Sequence, residues 1–230
     1  MKDSNIHADK FGQVWQHFQN GFRPSAYDPE RVAGFDGRKT SLTLSIPIQQ
    51  PEIIHKIREI SAKLQGLDGI YLMPEEYYHV TVKWLGFFTD RKEKDYDIEA
   101  NTLDLIIEQA ENIIGEVPSF EICLKRLNGL GSFVVCEVSD NGAIARLQGR
   151  LHQDAADIPI YPLEGEEWLP HLSLAGIKSQ KSISQLQHRI RQFRDVELGT
   201  VQVNQIHLSR ALLQQPSPSC TTIRTFQLTN

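Results

Sequence analysis

The 230-residue sequence lacks a surplus of positive charge. Its 24 Lys and Arg residues stand against 29 Asp and Glu residues, which gives a formal net charge of −5. Proteins that bind duplex nucleic acid in bulk usually carry a basic surface, so we do not expect that function. A small anionic substrate remains compatible with the sequence, because net charge says little about the potential inside one cleft.

Cysteines and long apolar runs are also scarce. Cys123, Cys136 and Cys220 are an odd number without a CxxC pair, which favours free thiols in a reducing compartment. No stretch has the length of a transmembrane segment, and the polar N-terminus lacks the apolar core of a signal peptide. We therefore expect a cytoplasmic protein that does not bind membranes.

Three widespread site signatures are missing as well. The sequence contains no glycine-rich phosphate loop of the GxGxxG or GxxxxGK[ST] type, and it has no HExxH zinc motif. We expect neither a cofactor nor a metal ion.

Hydrophobic periodicity predicts that strands and helices interleave, with hairpins among them. This mixture favours an α+β architecture over a doubly wound parallel sheet. We predict helices over 51–64, 98–114, 142–155 and 182–194, and strands over 41–48, 77–85, 119–127, 132–139, 169–177, 200–210 and 221–229. Residues 1–38 are predicted to be an N-terminal extension that packs on the main domain, 39–230, through its aromatic side chains.

Two predicted strands carry the same arrangement of polar side chains. Because side chains on a strand alternate between its faces, His79 and Thr81 lie on the face opposite Val80 and Val82. His171 and Ser173 alternate in the same way with Leu172 and Leu174. Glu-Glu-aromatic sequences, ending at Tyr77 and Trp168, precede both strands and suggest a weak internal repeat.

Two imidazoles and two hydroxyls in one cleft suit phosphodiester chemistry. A neutral imidazole can take a proton from an attacking water, and a protonated one can donate to the leaving ribose oxygen. The hydroxyls can donate hydrogen bonds to the phosphate oxygens. Lys83, predicted on the same face as His79, would add positive charge.

A third His-x-Ser triplet, His207 and Ser209, shows the same alternation. Periodicity alone therefore does not separate it from the other two. It lacks the Glu-Glu-aromatic lead and the preceding proline of the second strand. We interpret it as part of a structural strand.

The segments HVTVKWLG, 79–86, and PHLSLAG, 170–176, resemble the paired signature of the 2H phosphoesterase superfamily. That superfamily includes the LigT-like RNA 2′,3′-cyclic phosphodiesterases, once named 2′-5′ RNA ligases. The resemblance extends over about residues 40–230, with Ser173 in place of the commoner threonine. It implies a bilobal fold in which two pseudo-symmetric lobes place antiparallel sheets around a central cleft, with helices outside.

The resemblance also implies metal-independent hydrolysis of ribose 2′/3′ phosphodiesters, with RNA 2′,3′-cyclic ends or small nucleotides as substrates and reverse 2′-5′ RNA ligation as a further activity. We expect a monomer with His79, Thr81, His171 and Ser173 as catalytic residues. Lys83, Trp168, Phe133 and Arg210 are weaker candidates for substrate binding. The alternative is a non-catalytic module that binds RNA ends or nucleotides in the same cleft.

Overall fold

The computed structural model describes residues 7–21, 37–158, 168–213 and 219–229. Its helices are α1 (Ala8–Asn20), α2 (Pro51–Leu64), α3 (Ala100–Ile114), α4 (Ala143–Asp154) and α5 (Ile183–Gln192), with a short 3₁₀ helix at Glu75–Tyr77. Its strands are β1 (Thr40–Pro47), β2 (Ile70–Leu72), β3 (His79–Phe88), β4 (Asp97–Ile98), β5 (Phe120–Leu130), β6 (Phe133–Ser139), β7 (His171–Ile177), β8 (Glu197–Val203), β9 (Gln205–Leu212) and β10 (Ser219–Gln227).

In these described ranges the ten strands form one sheet. Its main path runs β10-β9-β1-β3-β7-β6-β5-β8, and all neighbours along this path are antiparallel. A single residue pair, Val80 with Leu172, joins the half that contains β3 to the half that contains β7. The predicted α+β class is confirmed, and the two lobes share one continuous sheet.

The predicted single strand over 200–210 is wrong. The chain instead forms β8 and β9, which are separated by Asn204. β8 pairs with β5 at one end of the sheet, whereas β9 pairs with β1 and β10 near the other end. Because only one residue separates these two strands, the two ends of the sheet come together there, and the sheet must curl.

Helices α2 to α5 contribute apolar side chains to a core on one face of the sheet. In α2, Pro51 occupies the first turn, where its missing N–H is not needed. Ile53, Ile57, Ile60 and Leu64 follow at helical spacing and are buried. Burial of each such side chain contributes about 1.5–3 kcal/mol relative to exposure. The opposite face of the sheet, which carries His79, is called the cleft face below.

The N-terminal helix α1 packs against β5. Phe11 and Phe18 are buried, and an added Cβ at Gly129 would lie 2.0 Å from the Phe18 ring. The guanidinium of Arg194 lies 4.6 Å from the ring centre of Trp15. The other parts of the predicted extension, residues 1–6 and 22–36, lie outside the described residues.

No helix in the described part of the chain is long and apolar enough to cross a membrane.

Candidate active site

The two predicted catalytic histidines have the same local geometry. The Nδ1 of His79 lies 2.7 Å from the carbonyl oxygen of Tyr77, and the Nδ1 of His171 lies 2.7 Å from that of Leu169. A carbonyl oxygen can only accept, so in each ring Nδ1 carries the proton and donates. The neutral rings therefore leave Nε2 as the acceptor.

The strand register brings both His-x-hydroxyl pairs together. Val80 lies opposite Leu172 in an antiparallel pair, so His79 comes opposite Ser173, and Thr81 comes opposite His171. Directly opposite residues have Cβ atoms about 4.5–5.5 Å apart, and diagonal neighbours such as the two histidines lie at about 7–8 Å. Two imidazoles and two hydroxyls thus surround one small volume on the cleft face.

Burial controls the charge of both histidines. Desolvation lowers the pKa of His79 from its ordinary 6.5, the backbone hydrogen bond to Tyr77 opposes this, and the charge of a protonated His171 lowers it further. Desolvation likewise lowers the pKa of His171, against its bond to Leu169. Because the charge of one ring disfavours that of the other, the state with a proton on both rings is disfavoured.

Thr81 and His171 belong to a row of side chains that crosses five strands on the cleft face. Glu137 lies opposite His171, Ser45 lies opposite Thr81, and His207 lies opposite Ser45. The third histidine, which the sequence left as structural, is therefore on the same face as the other two, two strands from Thr81.

The prediction that Lys83 faces the cleft is wrong. A register shift in the β1–β3 pair places Lys83 opposite Leu44, on the core face, and Lys83 is 0% exposed. Strict alternation would also place Trp84 with Val80 and Val82 on the core face, but the register shifts place it on the cleft face. It lies opposite Thr43, and its Nε1 donates to Ser41 Oγ at 2.8 Å. Lys83 has no surface for a substrate to contact.

Two other predicted binding residues lie away from the histidines. Arg210 is opposite Leu42, so its side chain is on the core face, where its guanidinium lies 4.6 Å from the ring centre of Phe88. Phe133 begins β6 opposite Gly176 and packs against the core. It is four residues from Glu137, about 13 Å along the strand. The structure does not bring either residue into the site.

Aromatic side chains flank both histidines. The Trp168 ring centre lies 6.0 Å from that of His171, as expected for a residue that borders the cleft. Tyr77 lies 5.0 Å from His79 in an edge-to-face arrangement. The two aromatic residues are the ones that end the repeated Glu-Glu-aromatic sequence, of which Glu166 and Glu167 lie outside the described residues.

Glu137 was not predicted, because only the register between β6 and β7 places it beside His171. Its side chain is 4% exposed and forms an ion pair with Arg194 at 2.7 Å. Asn128 donates one hydrogen bond to Glu137 at 2.7 Å and another to the Phe11 carbonyl at 3.1 Å. Burial raises the pKa of Glu137, while the positive charge of Arg194 and these bonds lower it. The network thus connects α1 to the strand beside His171.

A sheet of two such halves, which meet at two strands that each carry a His-x-[Ser/Thr] pair, is the architecture of a 2H phosphoesterase. A family model described as the 2′-5′ RNA ligase superfamily matches residues 46–214. The chain belongs to this superfamily.

Individual proteins show the same relationship. An RNA 2′,3′-cyclic phosphodiesterase from Methanocaldococcus jannaschii is 26% identical over 183 residues, which cover 77% of this chain and 95% of the relative. Another RNA 2′,3′-cyclic phosphodiesterase, from Aeropyrum pernix, is 30% identical over 132 residues, which cover 51% of this chain and 74% of the relative. The crystal structure of Escherichia coli LigT complexed with 3′-AMP gives a TM-score of 0.61 at 16% identity. The superposition covers 84% of this chain and 99% of LigT. At that identity the structural likeness shows the fold alone.

Proposed function

We propose that the protein is a phosphodiesterase that opens 2′,3′-cyclic phosphates at RNA ends or on nucleotides, with His79 and His171 as its acid–base pair. The observation that supports this proposal is the antiparallel pairing of Val80 with Leu172, from which we expect each histidine to lie opposite the hydroxyl of the other motif. The two relatives that are RNA 2′,3′-cyclic phosphodiesterases suggest the substrate class.

In the proposed reaction, His171 Nε2 removes a proton from a water molecule while the water oxygen bonds to phosphorus. The bond from phosphorus to one ribose oxygen breaks, and His79 Nε2 gives its proton to that oxygen. The product is a phosphomonoester with a free hydroxyl on the neighbouring ribose carbon. The reaction starts with the proton on His79 and ends with it on His171, so exchange with solvent restores the starting state.

The hydroxyls of Thr81 and Ser173 donate hydrogen bonds to the two non-bridging oxygens. Their donors are fixed on strands before the substrate arrives, so little reorganisation is needed when the phosphate changes geometry. If the 5′-hydroxyl of an RNA attacks in place of water and the bond from phosphorus to O3′ breaks, the same arrangement joins the two RNAs through a 2′-5′ bond.

The test is hydrolysis of 2′,3′-cyclic nucleotides and of a short RNA with a 2′,3′-cyclic end, by purified protein in excess EDTA. We expect turnover to persist with the chelator and to fall at least about 100-fold in His79→Ala and in His171→Ala, the scale for an acid–base group. His55→Ala, which changes an exposed histidine on α2, is the matched control.

Equal product from the wild type and both histidine variants would reveal a contaminating activity. A folded wild-type protein that binds nucleotide but turns over no substrate would instead support the non-catalytic binding module.

A further inference from the structure

A strained arginine lies next to the row of side chains that contains His171. Arg126 has a backbone φ of 66°, in the left-handed region. It is the extra residue of a β-bulge, since β5 pairs with β6 through Lys125 and then through Leu127. Glycine is the usual residue at a bulge position of this conformation, because it adopts a positive φ without strain. The other non-glycine residue with a positive φ in the described part of the chain is Asn141, and asparagine tolerates that region.

The contacts of Arg126 do not account for this strain. Its N–H donates to the carbonyl oxygen of Val196 at 2.8 Å, a bond that a glycine would also form. Its side chain is exposed and forms no hydrogen bond or ion pair with any residue that the structure describes. This includes Asp195 and Glu197, the carboxylates on either side of Val196. Strained residues that the fold does not need are found at ligand-binding positions.

The position of Arg126 connects it to the proposed active site. Lys125 lies opposite Glu137, which lies opposite His171, so the row of cleft-face side chains extends to β5. Neighbouring strands are about 4.8 Å apart, which places residue 125 about 10 Å from His171. Burial raises the pKa of Glu137, whereas the charges of Arg194 and, more weakly, of Arg126 lower it. The Arg126 guanidinium is therefore within electrostatic range of the cleft face.

The charges on this side of the cleft leave Arg126 available for an anion. Arg194 forms an ion pair with Glu137 at 2.7 Å, and Lys125 has Glu137 and Glu197 opposite it on the two neighbouring strands. Arg126 has no such carboxylate partner among the residues described. Its guanidinium presents a fork of N–H donors that matches two oxygens of a phosphate. A phosphate is thus the group that Arg126 is suited to bind.

We infer that Arg126 binds a backbone phosphate of an RNA chain whose 2′,3′-cyclic end occupies the proposed active site. This inference rests on the proposed function and narrows the substrate class from nucleotides in general to RNA. A stacked strand carries one phosphate per about 3.4 Å of its axis, so a span of about 10 Å corresponds to about three nucleotides. The contact is available to an oligonucleotide and lies out of reach of a 2′,3′-cyclic mononucleotide.

The first test compares a short RNA that has a 2′,3′-cyclic end with a 2′,3′-cyclic mononucleotide. For the RNA we expect Arg126→Gln to raise KM at least about tenfold, the scale for loss of a hydrogen bond to a charged group. For the mononucleotide, kcat and KM should stay as in the wild type. Arg126→Lys keeps the charge and should recover part of the RNA affinity. Arg146→Gln, which changes an exposed arginine on α4, is the matched control.

Two further measurements separate a phosphate contact from a role in the fold. The logarithm of the affinity for single-stranded RNA falls with the logarithm of the salt concentration, with a slope of about −0.7 per phosphate contact. Arg126→Gln should make this slope less steep by about 0.7, whereas Arg146→Gln should not change it. Arg126→Gly loses the contact but relieves the backbone, so it should unfold at a urea concentration no lower than the wild type does.

An RNA KM and a salt slope that do not change in Arg126→Gln would overturn the inference and leave the proposed function intact. An equal rise in KM for both substrates, or a lower unfolding midpoint of Arg126→Gly, would also overturn it, since Arg126 would then serve the reactive nucleotide or the fold. If the wild type opens neither substrate, the proposed function fails, and binding of a labelled RNA with a 3′-phosphate decides. A Kd that rises in Arg126→Gln but not in Arg146→Gln supports the phosphate contact alone, and equal Kd values or no binding overturn it.

Discussion

The two sides of the cleft contain the same motif in different surroundings. On the His79 side, β1, β9 and β10 surround an open cavity with hydroxyl and imidazole groups. On the His171 side, β6 presents the buried Glu137, and the network of Glu137 with Arg194 and Asn128 is covered by α1. Since the local geometry of both histidines is alike, their different roles in the proposed reaction must come from these neighbours.

Although the surroundings of the two motifs differ, we expect the hydroxyls of Thr81 and Ser173 to contribute equally to the reaction. Thr81→Val and Ser173→Ala should each lower kcat for a 2′,3′-cyclic nucleotide by about 100-fold, the scale for loss of one preorganised donor to a phosphate oxygen. Thr43→Val, on the same face of β1 but outside the site, is the control. A loss confined to one of the two variants would mean that only one hydroxyl contacts the phosphate.

On the His171 side of the cleft, the stability of the fold should depend on the ion pair between Arg194 and Glu137. Arg194→Met leaves a buried carboxylate without its charged partner, which typically costs about 3–5 kcal/mol, and urea unfolding measures the loss. Arg58→Met removes an exposed pair with Glu75 and should change the unfolding midpoint little.

The sign of the pH dependence follows from the raised pKa of Glu137. Without Arg194 the folded state holds a proton on Glu137 more tightly than the unfolded state does, so stability falls as the pH rises through this pKa. The loss in the free energy of unfolding caused by Arg194→Met should therefore be smaller at pH 5 than at pH 8. A deficit that does not change with pH would show that packing, not the unpaired charge, accounts for it.

A smaller effect tests the coupling between the two sides. The charge of His171 lowers the pKa of His79, so His171→Ala should raise that pKa relative to wild type. NMR titration of the His79 ring measures it, with His55→Ala as the control. An unchanged pKa would show that the charge of His171 does not affect the His79 ring.

The sequence predicted what depends on local periodicity. His79, Thr81, His171 and Ser173 are brought together because both strands alternate without interruption over these residues. Beyond Thr81 the alternation no longer predicts the face correctly. The register shift in the β1–β3 pair places Lys83 on the core face instead of the cleft face. On β9 the same rule would have placed Arg210 on the face opposite His207, and the structure agrees with it.

The remaining site features depend on contacts between distant segments. Glu137 and His207 enter the row with His171 and Thr81 only through strand order and register, which a single sequence does not specify. Likewise, the break at Asn204 separates β8 from β9, although the residues on both sides favour strands. The strand breaks at Asn204 because β8 pairs with β5, whereas β9 pairs with β1 and β10.

The most direct test of the two roles is a change of leaving group. We would compare His79→Ala and His171→Ala on a 2′,3′-cyclic nucleotide and on bis(p-nitrophenyl) phosphate, whose aryl oxygen leaves without a proton donor. Both variants should lose at least about 100-fold on the nucleotide. On the aryl diester, His79→Ala should return to within about tenfold of wild type, while His171→Ala stays impaired, because a base is still needed. Equal losses of both variants on both substrates, or recovery of His171→Ala alone, would contradict the assignment.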